Sequence, residues 1–147
     1  AGLMTVLALP RFSTALFTDD LKTSVRKLAG TIKLLKHEAV RENIAYRLHL
    51  DPTSDRVWYD AEHAGPGEAS AHTVARLPRG VRIIDVQPAG GEKTAAGESV
   101  IRIDRRGYVQ PAVIHVGSDG DAVFTLVLTP FLETIGIIDG YVSFEDR

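Results

Sequence analysis

The hydrophobic period of this chain changes once, near Asn43, and that change leaves few folds open to it. Before it, Leu21, Val25, Leu28, Ile32, Leu35 and Ala39 follow steps of four, three, four, three and four, which draws one apolar stripe along a helix. Lys22, Arg26, Lys27, Lys33 and Lys36 fall on the opposite face. Gly30 is the one weak interior residue, costing about 1 kcal/mol relative to alanine. From Ile44 onward, Ile44, Tyr46, Leu48 and Leu50 alternate with Ala45, Arg47, His49 and Asp51, the two-residue repeat of a half-buried strand. Asp51-Pro-Thr-Ser-Asp55 has turn chemistry and Arg56–Asp60 reads as the returning strand. Residues 61–72 read as a flexible loop. Val- and Ile-rich runs follow at 80–86, 99–104, 108–116, 123–129 and 135–144, separated by glycine turns. Arg105-Arg-Gly-Tyr108 and Ile138-Asp-Gly-Tyr141 have the composition of tight hairpin connections.

One long helix and then about seven strands exclude a doubly wound parallel sheet, which needs crossover helices. The expected fold class is α+β: a long N-terminal helix over residues 1–43 packed on an antiparallel β-sheet head over residues 44–147. Leu21, Val25, Leu28, Ile32 and Leu35 are expected on the sheet. Asp19/Asp20 or Ser13/Thr14 would cap a helix that starts there. A helix that runs from residue 1 instead holds Pro10 inside it, at the loss of one backbone bond.

Ala1-Gly-Leu-Met-Thr-Val-Leu-Ala-Leu-Pro10 is apolar apart from one threonine. Ten residues span about 15 Å as a helix, half of the roughly 30 Å bilayer core. The segment is therefore either a buried core helix or the second half of a membrane helix. A net charge of −2 argues against general affinity for nucleic acid or anionic lipid. The chain has no cysteine, which removes thiolate chemistry of every kind.

No catalytic constellation emerges from the remaining residues. His37-Glu38 begins a His-Glu-x-x-His pattern, but position 41 is Arg, a cation where the second zinc ligand belongs. His49 and His115 fall opposite the more apolar set of their strands and are expected to face the surface; His63 and His72 edge the loop. Ser118-Asp-Gly-Asp121 reads as a hairpin turn, since a calcium loop needs more carboxylates. Gly90-Gly-Glu-Lys93 lacks phosphate-loop spacing, and no Gly-x-Ser-x-Gly occurs. The expectation is no catalytic residue, no metal site and no cofactor.

A hydrophobic stretch ending Leu-Ala-Leu-Pro10-Arg11, a long amphipathic helix and an antiparallel head together resemble the type IV pilin superfamily. Lys36–Asn43 with Ala45–Asp51 is similar to the helix end and first strand of GspH/FimT-like minor pseudopilins. Leu77-Pro-Arg-Gly-Val81, Ile103-Asp-Arg-Arg-Gly107 and Pro111–Val116 resemble later strands of that group, while Phe131-Leu-Glu departs from its closing segment.

The resemblance implies a structural subunit of a type II secretion pseudopilus and no enzyme. Its anchor would lie in the inner membrane, methylated at its N-terminus, with the head in the periplasm. Partners would be other pseudopilins, met through the helix, and neither nucleic acid nor a small-molecule substrate is expected. The alternative is a type IV pilus minor pilin whose head binds DNA or a surface ligand. A helix to residue 43 would be about 64 Å long, against a radius of gyration near 13 Å for a head of roughly 100 residues. Residues 1–18 are therefore expected to project as an apolar stem. Leu3, Val6, Leu7, Leu9, Pro10, Phe12, Leu16 and Phe17 would make its membrane and filament contacts, and 19–43 would pack on the head.

Overall fold

The computed structural model describes residues 2–62, 72–130 and 135–143, without the side chains of 2–19 and 72–76. One helix, α1, runs unbroken from Gly2 to Glu42 and passes through Pro10. Its 41 residues correspond to about 61 Å at 1.5 Å per residue. Asn43 ends it in the left-handed conformation, φ 55°. The Asn43 N–H donates to the Val40 carbonyl at 3.3 Å, and the Ile44 N–H donates to that of Ala39 at 3.0 Å. This is a Schellman closure, which satisfies two carbonyls of the last turn and turns the chain into the first strand.

Eight strands follow among the described residues: β1 (Tyr46–Asp51), β2 (Arg56–Ala61), β3 (His72–Arg76), β4 (Val81–Pro88), β5 (Ser99–Ile103), β6 (Ala112–Ser118), β7 (Val123–Leu128) and β8 (Gly136–Asp139). They form two four-stranded sheets rather than one, in the orders β3-β2-β1-β5 and β4-β6-β7-β8, with every pairing antiparallel. The helix stripe and the inner faces of both sheets share one core. Leu21, Ile32, Leu35, Leu48, Leu50, Ile101, Ile114 and Leu126 are fully buried in it. Every position of the expected helix stripe, Leu21, Val25, Leu28, Ile32, Leu35 and Ala39, is buried.

Three further expectations change. The segment His72–Arg76, whose first residue the sequence assigns to the 61–72 loop and whose remainder it leaves unassigned, is an edge strand paired with β2. Over its described residues, 135–143, the predicted run 135–144 is a strand only at Gly136–Asp139, because Gly140 adopts φ +102° and turns the chain off the sheet. No hairpin forms at Ile138–Tyr141, since the residues after Gly140 cross the outer face of the β6–β7 pair instead. The other two turns form as their composition predicts. Asp51 Oδ1 accepts from the Thr53 N–H at 2.9 Å. Between Ile103 and Val109 the chain reverses tightly, with the Gly107 N–H donating to the Asp104 carbonyl at 2.9 Å.

Candidate functional site

The helix is the first candidate surface. Its described packing begins at Leu21 and ends at Ala39, a length of about 27 Å out of the whole helix. Leu3, Val6, Leu7, Leu9, Pro10, Phe12, Leu16 and Phe17 all lie on α1, N-terminal to that packed stretch. The surroundings of those eight side chains lie outside the described residues. No helix among the described residues is long and apolar enough to cross a membrane.

The Asp104–Tyr108 turn lies against the solvent side of the packed half of the helix. Gly107 sits there at φ +84°, and a Cβ built on it would lie 2.9 Å from Val40 Cγ2. Glycine is thus required twice over, for the turn and for the close approach. Beside this contact, Lys33, His37, Val40, Arg106, Tyr108 and Pro130 line an open groove of about 470 Å³. Val40 and Tyr108 are 56% and 47% exposed. His37 of the His-Glu pair lies in this groove, and Arg41 pairs with Glu38 at 2.6 Å and Glu42 at 3.1 Å. Position 41 is occupied by a cation engaged with two carboxylates, which is the chemistry of a solvated helix face.

The outer face of the β3-β2-β1-β5 sheet carries an ion network that sequence reasoning did not anticipate. Register places Arg47 opposite Asp60 and His49 opposite Trp58. Arg47 donates to both Asp60 oxygens, at 3.0 and 3.2 Å. His49 Nε2 donates to Asp60 Oδ1 at 3.0 Å, and its Nδ1 faces Glu98 Oε1. The imidazole stacks on Trp58 with centroids 5.0 Å apart, and Arg56 lies over the same indole at 5.2 Å. Burial pushes the Asp60 carboxyl up, but the hydrogen bonds and charges of His49 and Arg47 outweigh it and hold the carboxyl below its usual range. His49 is consequently buried, 8% exposed, rather than surface-facing.

His115 departs further from expectation, with no exposed surface at all. On the outer face of β6 it bonds Asp85 Oδ1 from β4 through Nδ1 at 2.5 Å, and its Nε2 donates to the Val142 carbonyl at 2.7 Å. Tyr141 stacks on the ring at 3.6 Å and donates its hydroxyl to Asp85 Oδ2 at 2.8 Å. One sequence signal for this burial existed. Ala112-Val-Ile-His-Val-Gly-Ser118 is nearly continuous in apolar character, the mark of a strand covered on both faces, and every residue of it is buried. Among the described residues no group of three or more His, Asp or Glu side chains is placed to hold a metal ion. Ser118–Asp121 forms the β6–β7 hairpin turn, with the Ser118 N–H donating to the Ala122 carbonyl at 3.1 Å.

A long N-terminal helix with its C-terminal half seated on antiparallel sheets is a pilin-like α+β fold, and structural comparison agrees. The chain is similar to the minor pseudopilin EPSH from the type II secretion system of Vibrio cholerae. In one crystal structure of that protein the TM-score is 0.63 at 16% sequence identity, covering 85% of this chain and 98% of the other. A second structure of EpsH gives a TM-score of 0.59 at 15% identity, covering 82% and 97%. No protein-family model matches the sequence, and no curated protein does.

Proposed function

We propose that this chain is a minor pseudopilin, a structural subunit of a periplasmic pseudopilus that serves type II protein secretion, and not an enzyme. The observation that carries the reading is the division of α1, in which an apolar stripe is buried against the head from Leu21 to Ala39 while the helix continues N-terminally to Gly2. A head of this size covers about half of such a helix, and the remaining turns carry Leu3, Val6, Leu7, Leu9, Phe12, Leu16 and Phe17. Apolar side chains beyond the reach of the head mark a partner or a membrane. A helix serves both settings because it satisfies its backbone internally. The likeness to EpsH supports the same reading at the level of fold.

In this account residues 1–18 form the stem, anchored in the inner membrane before assembly and packed against other stems afterwards, with the head in the periplasm. Pro10 belongs to the stem, where a bend disturbs no packing of the head. The chain has no cysteine of its own, so Phe12→Cys introduces a single reporter. In cells, oxidation should trap this variant as a disulfide with cysteine-bearing stems of other pseudopilins. Leu7→Glu combined with Leu9→Glu should abolish membrane anchoring and secretion while the head still folds. Secretion that survives the double charge substitution would refute the reading.

A further inference from the structure

The segment that leaves β8 is held by groups that the assembly reading does not use. Gly140 and Val142 dock on Thr125 of β7: Thr125 Oγ1 donates to the Gly140 carbonyl at 2.6 Å and accepts from the Val142 N–H at 3.0 Å. Tyr141 lies flat on His115 and is 45% exposed, so it lids the histidine while its other face meets solvent. Lys93 donates to the Tyr141 hydroxyl at 2.7 Å and lies 5.1 Å from the ring centroid.

Proton counting then constrains the centre of the network. A carbonyl oxygen has no proton to give, so the proton between His115 and the Val142 carbonyl sits on Nε2. The 2.5 Å contact between His115 Nδ1 and Asp85 Oδ1 needs a second proton, whether nitrogen or oxygen holds it. Without that proton, a nitrogen lone pair and a carboxylate lone pair would face each other in a site closed to water. Asp85 Oδ2 already accepts from Tyr141 and offers no relief. Among the described residues, the titratable and charged groups facing the pair are Asp85 from β4, Tyr141 from the docked segment and, through Tyr141, Lys93 from the β4–β5 connection. β7 contributes the neutral Thr125.

We infer that Gly140–Val142 is a proton-held latch, docked on the outer face of the β6–β7 pair while the His115–Asp85 pair keeps its shared proton and released when that proton is lost. Release removes the Tyr141 lid and the Val142 carbonyl together, because both sit on His115. The outer faces of β6 and β7 would then be open to solvent or to a neighbouring protein. The inference stands on the hydrogen-bond geometry and does not require the pseudopilin reading.

Amide hydrogen exchange of the whole chain tests it, read at the Val142 N–H, which Thr125 Oγ1 holds, and corrected for intrinsic exchange at each pH; the Gly140 N–H bonds the Val123 carbonyl at 2.7 Å and reports the β7–β8 pairing instead. With one linked proton, protection at the Val142 amide should fall by up to about tenfold per pH unit over the part of the rising pH series in which the shared proton is lost. Amides of the buried α1 stripe should keep their protection across the series. Asp85→Asn supplies an amide N–H to a neutral His115 and still accepts from Tyr141, so this variant should stay docked with a flat pH profile. A flat profile in the unmodified chain would overturn the latch, whatever the variant does. So would Asp85→Asn exchanging freely at every pH, or keeping the unmodified slope, because each removes the shared proton as the cause.

Discussion

Replacing Gly107 by alanine tests how the head grips its helix. Two costs add. The residue sits at φ +84°, where an L-side chain is worse off by about 1–2 kcal/mol. The new Cβ would also approach Val40 Cγ2 to 2.9 Å. Val40 is β-branched and in a helix holds one χ1 rotamer strongly, so relief by rotation costs about 0.5–1.5 kcal/mol. Gly107→Ala should therefore destabilise by about 2–3 kcal/mol in urea denaturation, with the midpoint lowered and the slope unchanged. Val40→Ala alone should stay within about 0.5 kcal/mol, because the side chain is largely exposed on a helix that favours alanine. In the double variant the contact is gone and the backbone cost remains, so a coupling of about 0.5–1.5 kcal/mol is expected. Strict additivity of the two substitutions would refute the close approach, and a cost for Gly107→Ala below about 0.5 kcal/mol would refute the left-handed turn as well.

Two further perturbations probe the core and the outer face. Ile32 is fully buried where the stripe meets the sheets, so Ile32→Ala should lower unfolding free energy by about 2–5 kcal/mol, measured by the same denaturation. The depressed Asp60 carboxyl contributes stability that is present above its unfolded value and lost as pH falls through its folded value. Thermal melts between about pH 5 and pH 2 should therefore steepen in acid for the unmodified chain and flatten for Asp60→Asn, and parallel curves would contradict the network.

What the sequence disclosed was whatever depends on local period. The Leu21–Ala39 stripe, the change at Asn43 and the cores of β1, β2 and β4–β7 all follow from spacings of 3.6 or 2 within a few residues. The division into two sheets was not legible, because β1 pairs with β5 across about a third of the chain and no local pattern encodes that partner. β3 was missed because His72-Thr-Val-Ala-Arg76 follows a Gly-, Ala- and Ser-rich stretch and has few apolar residues of its own. Alternation assigns His49 and His115 to the outer face of a sheet but does not say what covers them. Trp58 with Glu98 covers the first, and Tyr141 with Val142 covers the second. The end of β8 turned on Gly140, where a left-handed backbone outweighed the β-propensity of the residues around it.

The central claim is that α1 has two jobs, with residues 19–43 folding the head and residues 1–18 reserved for contacts outside it. Calorimetry of the chain lacking residues 1–18, beside the full chain in mild detergent, tests this most directly. The account predicts a soluble, monomeric fragment that melts in one cooperative transition, within about 2 °C of the full chain, since none of the described core residues is removed. A fragment that aggregates, loses cooperativity or melts many degrees lower would make the N-terminal segment part of the core, and the pseudopilin reading would fall with it.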